Sequence, residues 1–258
     1  MKAIGIVGFK KSGKTTLTMA ITRLLMSRGK CVAVIKHSSK PVEHGNTDTG
    51  KIMKEVKQIG LITPENTEII LKGEYNLAEI ASYINADFLI IEGFKNIKYF
   101  PKIICLRKED NKQILDDGLA LFSVSLDSSL KEKKKVDYLI SEKKDLEEIV
   151  NQLEKKAFML PDMNCGKCGY SNCYSLAQAI VQGIENQQKC IYYQDLITIK
   201  INKKRVYLNP FMAKLYQNMI YGMLSPLKDV GSLKNARIEI EFGSLEILKK
   251  KDDHSNSI

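Results

Sequence analysis

The sequence predicts an α/β fold, in which a doubly wound, mostly parallel sheet is followed by a small four-cysteine module and a small α+β tail. Three observations lead to this prediction. An apolar run at residues 3–7 precedes a glycine-rich loop and an amphipathic helix. Further apolar runs, at residues 31–35 and 86–91, have the composition of parallel strands covered on both faces. Four of the six cysteines lie between residues 165 and 190.

The loop after the first strand reads Gly8-Phe9-Lys10-Lys11-Ser12-Gly13-Lys14-Thr15, which fits the P-loop pattern G-x-x-x-x-G-K-[ST]. Its glycines let backbone N–H groups face an anion, and the helix that follows adds the positive end of its dipole. Lys14 is the candidate catalytic lysine, and the Thr15 hydroxyl is a candidate Mg²⁺ ligand. A plain helix-capping turn is the alternative. The predicted nucleotide-binding residues are Gly8, Lys11, Ser12, Gly13, Lys14, Thr15 and Thr16.

The helix after the loop is predicted from Lys14 to Ser27, because apolar side chains recur on one face and Gly29 follows. The run from Cys31 to Ile35 then reads as the second strand, which completes a right-handed crossover. Cys31 and Cys105 lie in apolar runs and are expected to be buried hydrophobes. The motif and this crossover together indicate a P-loop NTPase sheet.

A third strand, at residues 86–91, ends in Glu92 and Gly93. Ligands of open α/β sheets gather at the carboxyl ends of the strands. Glu92 is therefore a candidate catalytic acid and Mg²⁺ ligand, acting directly, through water or by orienting the attacking water. The alternative is a solvated acid at a strand end. Asp87 is expected at the opposite edge of the sheet.

Further sequence blocks follow the P-loop in order: Val34-Ile35-Lys36-His37, Asp48-Thr49-Gly50-Lys51, Ile91-Glu92-Gly93-Phe94-Lys95, and Pro101-Lys102-Ile103 with Arg107. With the P-loop, these blocks resemble the MobB family, the GTP-binding adaptor proteins of molybdopterin-guanine dinucleotide biosynthesis. The resemblance spans residues 1 to about 130.

The resemblance to MobB implies GTP and Mg²⁺ as ligands, weak GTP hydrolysis at best, and a homodimer. The implied partner is a molybdopterin guanylyltransferase, or an apo-enzyme that receives a molybdenum or tungsten cofactor. Position by position, Asp48 matches the family's acid in the loop after the second strand and is a candidate catalytic residue. Lys36 and His37 match the segment after that strand, although His37 could instead be a structural loop histidine.

The guanine base has no clear recognition motif, since no Asn-Lys-x-Asp sequence occurs. Asp127 follows the strand-like run from Ala120 to Val124 and is the candidate base contact. Polar residues at strand ends reach the nucleotide in sheets of this kind. A turn that only ends the strand is the alternative.

The cysteine cluster has the spacing C-x2-C-x4-C-x16-C, formed by Cys165, Cys168, Cys173 and Cys190. A helix from Ser175 to about Gln188 would bring the fourth thiol, Cys190, close to the first three. Four thiolates suit Zn²⁺ or an iron–sulfur cluster, whereas disulfides are rare in a reducing compartment. The segment resembles the four-cysteine [4Fe–4S] domain of electron-transfer subunits and corrinoid iron–sulfur proteins. That resemblance implies a [4Fe–4S] cluster, with Zn²⁺ as the alternative.

Polar and helix-breaking residues suggest where the segments divide. We expect a P-loop domain at residues 1–156, a four-cysteine domain at 160–195, a small α+β region at 196–242 and a charged mobile tail at 243–258. A hairpin, a helix opened by Pro210 and a strand at Arg237 to Phe242 are predicted in the α+β region.

The chain has 258 residues and a formal net charge of +10, but its basic residues are dispersed. No nucleic-acid recognition motif accompanies them, so nucleic-acid binding is disfavoured. We expect a cytoplasmic protein without a membrane segment, since no signal peptide or long apolar run is present.

Two functions remain open. The first is a GTP-binding adaptor in molybdenum or tungsten cofactor biosynthesis, at most a weak GTPase. The second is an enzyme that couples nucleotide hydrolysis to iron–sulfur redox chemistry or to delivery of a metal centre.

Overall fold

The structure is a computed structural model that describes residues 1–38, 47–193, 199–201, 204–206, 208 and 210–227. Its strands are β1 (Lys2–Gly8), β2 (Val32–Lys36), β3 (Gln58–Ile62), β4 (Thr67–Leu71), β5 (Phe88–Glu92), β6 (Lys102–Cys105), β7 (Ala120–Ser125), β8 (Tyr138–Leu139), β9 (Ile199–Ile201) and β10 (Lys204–Val206). Its α-helices are α1 (Lys14–Ser27), α2 (Asp48–Glu55), α3 (Leu77–Ser82), α4 (Lys112–Leu115), α5 (Ser128–Glu132), α6 (Lys143–Lys156), α7 (Cys173–Val181) and α8 (Pro210–Leu224).

The central sheet has six strands in the order β2-β5-β1-β6-β7-β8, and every neighbouring pair is parallel. Because alternate side chains of a strand face opposite sides, Ile4 and Ile6 of β1 belong to one hydrophobic core and Ala3 to another. Helices α1 and α6 contribute to the first core, and α3 and α7 to the second. The predicted doubly wound, mostly parallel α/β fold is confirmed.

The second face of the sheet is covered in part by the cysteine module. Leu176 and Ala177 of α7 are fully buried, in the same core as Leu89 of β5 and Phe158 after α6. The backbone N–H of Leu160 also donates to the carbonyl oxygen of Tyr99, at 2.8 Å. Residues Met1–Ala213 accordingly form one compact unit, in which the P-loop region and the module share a core.

The helix predicted from Ser175 to about Gln188 was wrong at both ends. The Asn172 side chain accepts a hydrogen bond from the Ser175 N–H at 2.8 Å, and this cap starts α7 at Cys173. Near the other end, Gly183 has a φ of 77°, which suits a residue just beyond a helix terminus. Two short 3₁₀ turns, Gln187–Lys189 and Ile191–Tyr193, then flank Cys190.

Smaller elements complete the described chain. β3 and β4 form an antiparallel hairpin, and β9 and β10 form another. A second compact unit begins at Lys214, and its described part is the remainder of α8 with the turn that follows at residues 225–227. The strand predicted at residues 237–242 and the tail at 243–258 lie outside the described residues. Within the part of the chain that is described, no helix is both long and apolar enough to cross a bilayer.

Candidate functional site

The P-loop lies between β1 and α1, at the carboxyl end of the parallel sheet, and its glycines are required by close packing. A Cβ on Gly8 would lie 2.6 Å from the Cys105 carbonyl oxygen and 2.4 Å from Ser12 Oγ. Gly13 has a φ of 88°, and a Cβ there would lie 3.0 Å from a methyl carbon of Leu126. The chain can therefore make this turn only with glycine at both positions.

The Ser12 side chain lies inside the loop and is only 3% exposed. Its hydroxyl oxygen has no hydrogen-bond partner among the residues that the structure describes. Buried hydroxyls nearly always have a partner, so an unpaired one at this position fits a loop that receives a ligand oxygen. This observation supports a bound phosphate.

The Lys14 ammonium donates a 2.6 Å hydrogen bond to the carbonyl oxygen of Phe9, so it folds back over the loop. Burial lowers the pKa of Lys14, and the nearby Cys105 and Glu92 act in the opposite direction. A lysine held in this position is within the loop that would surround a phosphate group.

Glu92 ends β5, beside β1 in the sheet, and is 5% exposed. Its carboxylate accepts hydrogen bonds from Thr15 Oγ1 at 2.9 Å and from Thr18 Oγ1 at 3.4 Å. The Lys36 ammonium lies 3.1 Å from the same carboxylate and 3.4 Å from Thr15 Oγ1. The structure thus brings together Thr15 and Glu92, the two side chains expected to hold Mg²⁺.

Two other candidate residues have local partners instead. Asp48 begins α2 with its side chain 94% exposed, and it forms an ion pair with Lys51 at 3.3 Å. Asp127 caps α5, where its carboxylate accepts from the Ser129 N–H at 2.9 Å. Hydrogen bonds from Ser129 lower the pKa of Asp127. Thr16 is exposed on the first turn of α1.

Neither Thr18 nor Lys95 was assigned to the site from the sequence, although Lys95 belongs to one of the blocks that carry the family resemblance. Thr18 could have been found, because it follows Thr15 by three positions and so lies on the same face of α1. The Lys95 ammonium lies 4.3 Å from the centre of the Phe9 ring, a contact between distant segments that no local pattern indicates. His37 continues the ladder between β2 and β5 through its N–H, and its ring packs against Phe94.

The four clustered cysteines lie in one neighbourhood of the module. Cys173 and Cys190 are buried, Cys168 is half-buried and Cys165 is exposed. Burial, reinforced by the proximity of the other three thiols, raises the pKa of Cys190 to about 11. Among the described side chains, no group of three or more His, Cys, Asp or Glu is arranged to hold a single metal ion. Four thiols within one module are nevertheless the donor set that a thiolate-ligated centre uses.

Polar contacts connect this module to the P-loop region. The Tyr174 hydroxyl donates to the Asp117 carbonyl oxygen at 2.5 Å, and the Asp117 carboxylate pairs with Lys102 at 2.6 Å. Lys102 also donates to the Lys95 carbonyl oxygen, at 2.7 Å. The Lys98 ammonium lies 4.6 Å from the centre of the Tyr174 ring.

Comparison with known proteins decides the family. The family described as "Molybdopterin guanine dinucleotide synthesis protein B", or MobB, matches residues 3–127. A "Putative molybdopterin-guanine dinucleotide biosynthesis adapter protein" of Methanocaldococcus jannaschii is 30% identical over 254 residues, which cover 95% of this chain and 100% of that protein. The chain belongs to the MobB family. The resemblance noted in the P-loop region is therefore confirmed.

This MobB chain also carries a second matched segment. Residues 160–192 match the family described as "Putative Fe-S cluster". A protein of the "Ion-translocating oxidoreductase complex" of Buchnera aphidicola subsp. Baizongia pistaciae is 32% identical over 79 residues, which cover 30% of this chain and 45% of that protein. These matches confirm the iron–sulfur resemblance of the four-cysteine segment.

Among solved structures, "The Crystal structure of Bacillus subtilis MobB" aligns with a TM-score of 0.49 and 19% sequence identity. The alignment covers 59% of this chain and 98% of that one.

Proposed function

We propose that this MobB protein is a GTP-binding adaptor of molybdopterin-guanine dinucleotide biosynthesis that carries its own [4Fe–4S] cluster. The observation that supports it most is the contact of Thr15 with Glu92 beside a P-loop that contains an unpaired, buried Ser12 hydroxyl. The relative from M. jannaschii, whose name includes the same adapter role, aligns over its whole length.

Each P-loop residue then has a defined task. The loop N–H groups and Ser12 bind the phosphates, and Lys14 exchanges the Phe9 carbonyl oxygen for oxygens of the β- and γ-phosphates. Thr15 and Glu92 would hold Mg²⁺, which neutralises phosphate charge when it is bound. The Glu92 carboxylate accepts hydrogen bonds from Thr15 and Thr18, so it acts as an orienting group rather than a free base. Slow hydrolysis is consistent with that role.

The cluster would be held by Cys165, Cys168, Cys173 and Cys190, and Zn²⁺ is the alternative centre. Binding requires thiolates, so loading releases protons from Cys173 and Cys190, whose pKa values burial raises. The loaded protein would act as a homodimer and present its nucleotide to a molybdopterin guanylyltransferase or to a molybdenum or tungsten apo-enzyme.

The adaptor function is tested on anaerobically purified protein. Iron and sulfide content and the EPR spectrum of the reduced protein identify the cluster, and calorimetric titration with GTP, GDP and ATP in Mg²⁺ measures nucleotide affinity. We expect four irons and a preference for guanine nucleotides. Lys14→Ala should weaken nucleotide binding at least about 100-fold, because charge-assisted contacts to phosphate are lost, while iron content stays unchanged. Wild-type protein that binds no guanine nucleotide would exclude this function.

A second function, nucleotide-driven redox chemistry at the cluster, is favoured by one observation. Tyr174, which follows Cys173, donates a hydrogen bond to Asp117, and the Asp117 carboxylate pairs with Lys102. Lys102 in turn donates to the carbonyl oxygen of Lys95, whose ammonium packs on Phe9 of the P-loop. If the two sites are coupled, GTP and Mg²⁺ should shift the reduction potential of the cluster. A potential that nucleotide leaves unchanged, with no partner-stimulated hydrolysis, would favour the adaptor alone.

A further inference from the structure

Lys36 lies where a cation is expected. Its ammonium is 3.1 Å from Glu92 Oε1 and 3.4 Å from Thr15 Oγ1, and these two oxygens are themselves 2.9 Å apart. The positive charge therefore faces both side chains assigned above to Mg²⁺. The ammonium provides the countercharge that the nearly buried carboxylate of Glu92 requires.

The backbone explains how Lys36 reaches this position. Lys36 is the last residue of β2 and lies opposite Glu92 in the parallel pairing with β5. The His37 N–H then donates to the Glu92 carbonyl oxygen at 2.9 Å, which fixes the chain just beyond the pair. The Lys36 side chain is 56% exposed, so its ammonium can move to other acceptors without unpacking a core.

Mg²⁺ and the ammonium compete for the same oxygens. Mg²⁺ takes oxygen ligands at about 2.0–2.1 Å, and an ammonium held on those oxygens would lie close to the ion and repel it. Either cation can neutralise the Glu92 carboxylate, but both together would leave the site with excess positive charge. An incoming nucleotide triphosphate brings the negative charge that would accept the displaced ammonium.

We propose that Lys36 substitutes for Mg²⁺ in the nucleotide-free site and moves to the γ-phosphate when the Mg²⁺–nucleotide complex binds. This inference rests on the proposed nucleotide site, and it makes Lys36 a specificity-determining residue that distinguishes the triphosphate from the diphosphate. The nucleotide-free site then binds free Mg²⁺ weakly, and Mg²⁺ enters the site together with the nucleotide.

The test compares Lys36→Gln with wild type in the cluster-loaded protein, using two binding measurements. Mn²⁺ alone, followed by EPR with the cluster kept oxidised, reports metal affinity without nucleotide. We expect Lys36→Gln to bind Mn²⁺ about tenfold more tightly, since the competing charge is removed. Calorimetric titration with GTP and with GDP in Mg²⁺ should show the preference for GTP reduced about tenfold in the same variant.

Lys95→Gln is the matched control. Lys95 and Lys36 both lower the pKa of Lys14 through their charge, but Lys95 contacts Phe9 rather than Thr15 or Glu92. Its variant should change GTP and GDP affinity equally and leave Mn²⁺ affinity alone. Lys36→Arg should restore much of the GTP preference, because a guanidinium also pairs with phosphate.

The possible failures are distinguishable. Wild-type protein that binds neither nucleotide overturns the proposed function as a whole. Wild-type protein that binds GTP normally, with a Lys36→Gln variant that keeps both its Mn²⁺ affinity and its GTP preference, overturns only the role of Lys36. An equal effect of Lys36→Gln and Lys95→Gln would also overturn it, because the effect would then come from net charge.

Discussion

The Tyr174 hydroxyl donates a 2.5 Å hydrogen bond to the carbonyl oxygen of Asp117, and this contact joins the cysteine module to the P-loop region. Gln178, one turn further along α7, lies 3.3 Å from the same carbonyl oxygen and 3.0 Å from the Tyr174 hydroxyl. Because Tyr174 follows Cys173 directly, the segment that carries one thiol is held by polar contacts as well as by the shared core.

Removing the Tyr174 hydroxyl should weaken the contact between the cysteine module and the P-loop region. We expect Tyr174→Phe to lower the free energy of unfolding by about 1 kcal/mol, the usual value for one hydrogen bond. Urea unfolding of the anaerobic, cluster-loaded protein measures the change. Tyr170→Phe is the control, since its hydroxyl donates to Glu185, which also lies within the module, at 3.4 Å. Equal effects of the two variants would show that the bond to Asp117 has no special role.

Lys102 is the most deeply buried charge in this region, at 1% exposure, and its partner is Asp117. Lys102→Met leaves the Asp117 carboxylate without its counterion, so we expect a loss of about 3–5 kcal/mol in unfolding free energy. The double variant Lys102→Met with Asp117→Asn should recover part of that loss, because no unpaired charge remains. Urea unfolding of both variants checks this, and a single variant as stable as wild type would contradict it.

The contacts of Asp117 with Tyr174 and Lys102 could not be predicted from the sequence, whereas other features of the fold could. Helix α1 lies at Lys14–Ser27, as predicted, because its periodicity and its flanking glycines are local signals. The approach of Thr15 to Glu92 could also be anticipated, since strand ends of a parallel sheet meet at one edge. Burial of a lysine between two segments, as at Lys102, has no local signal.

The errors have physical reasons as well. The predicted helix in the module ignored Asn172, whose side chain caps the first turn and so places Cys173 inside α7. Cys31 was expected to be buried, but it is exposed, since it lies just before β2, which is an edge strand of the sheet. Packing of the module onto the sheet could not be inferred, because it depends on contacts between segments far apart in sequence.

Substitutions at two glycines separate the cost of backbone strain from the cost of steric crowding. Gly13 lies in the P-loop, and Gly29 follows α1. Both have a positive φ, 88° and 75°, but a Cβ on Gly29 would meet nothing within 4 Å. We expect Gly29→Ala to cost about 1 kcal/mol of stability from strain alone and to leave GTP affinity unchanged. Gly13→Ala adds a clash with Leu126, so it should cost more stability and weaken GTP binding at least tenfold. Thermal unfolding and calorimetric titration measure the two effects. Equal GTP affinity in the two variants would contradict the prediction.

Cys105 should make the stability of the protein fall at alkaline pH. Burial raises the pKa of this thiol to about 12, with the nearby Lys14 acting against the shift. An unfolded cysteine titrates near about 8.5, so between these values the folded state keeps a proton that the unfolded state releases. Unfolding is then favoured as pH rises, by up to about 1.4 kcal/mol per pH unit, and the stabilisation is complete only below the unfolded pKa.

Cys105→Ala isolates this contribution, because every other titrating group is common to both proteins. Relative to wild type, the variant should gain about 2 kcal/mol of unfolding free energy between pH 8 and pH 10. Urea unfolding of anaerobic protein, followed by circular dichroism at each pH, measures the difference. Since the substitution leaves the same space at every pH, its packing cost is constant and cancels from the slope. Parallel stability curves for the two proteins would show that the Cys105 thiol does not titrate differently in the folded and unfolded states.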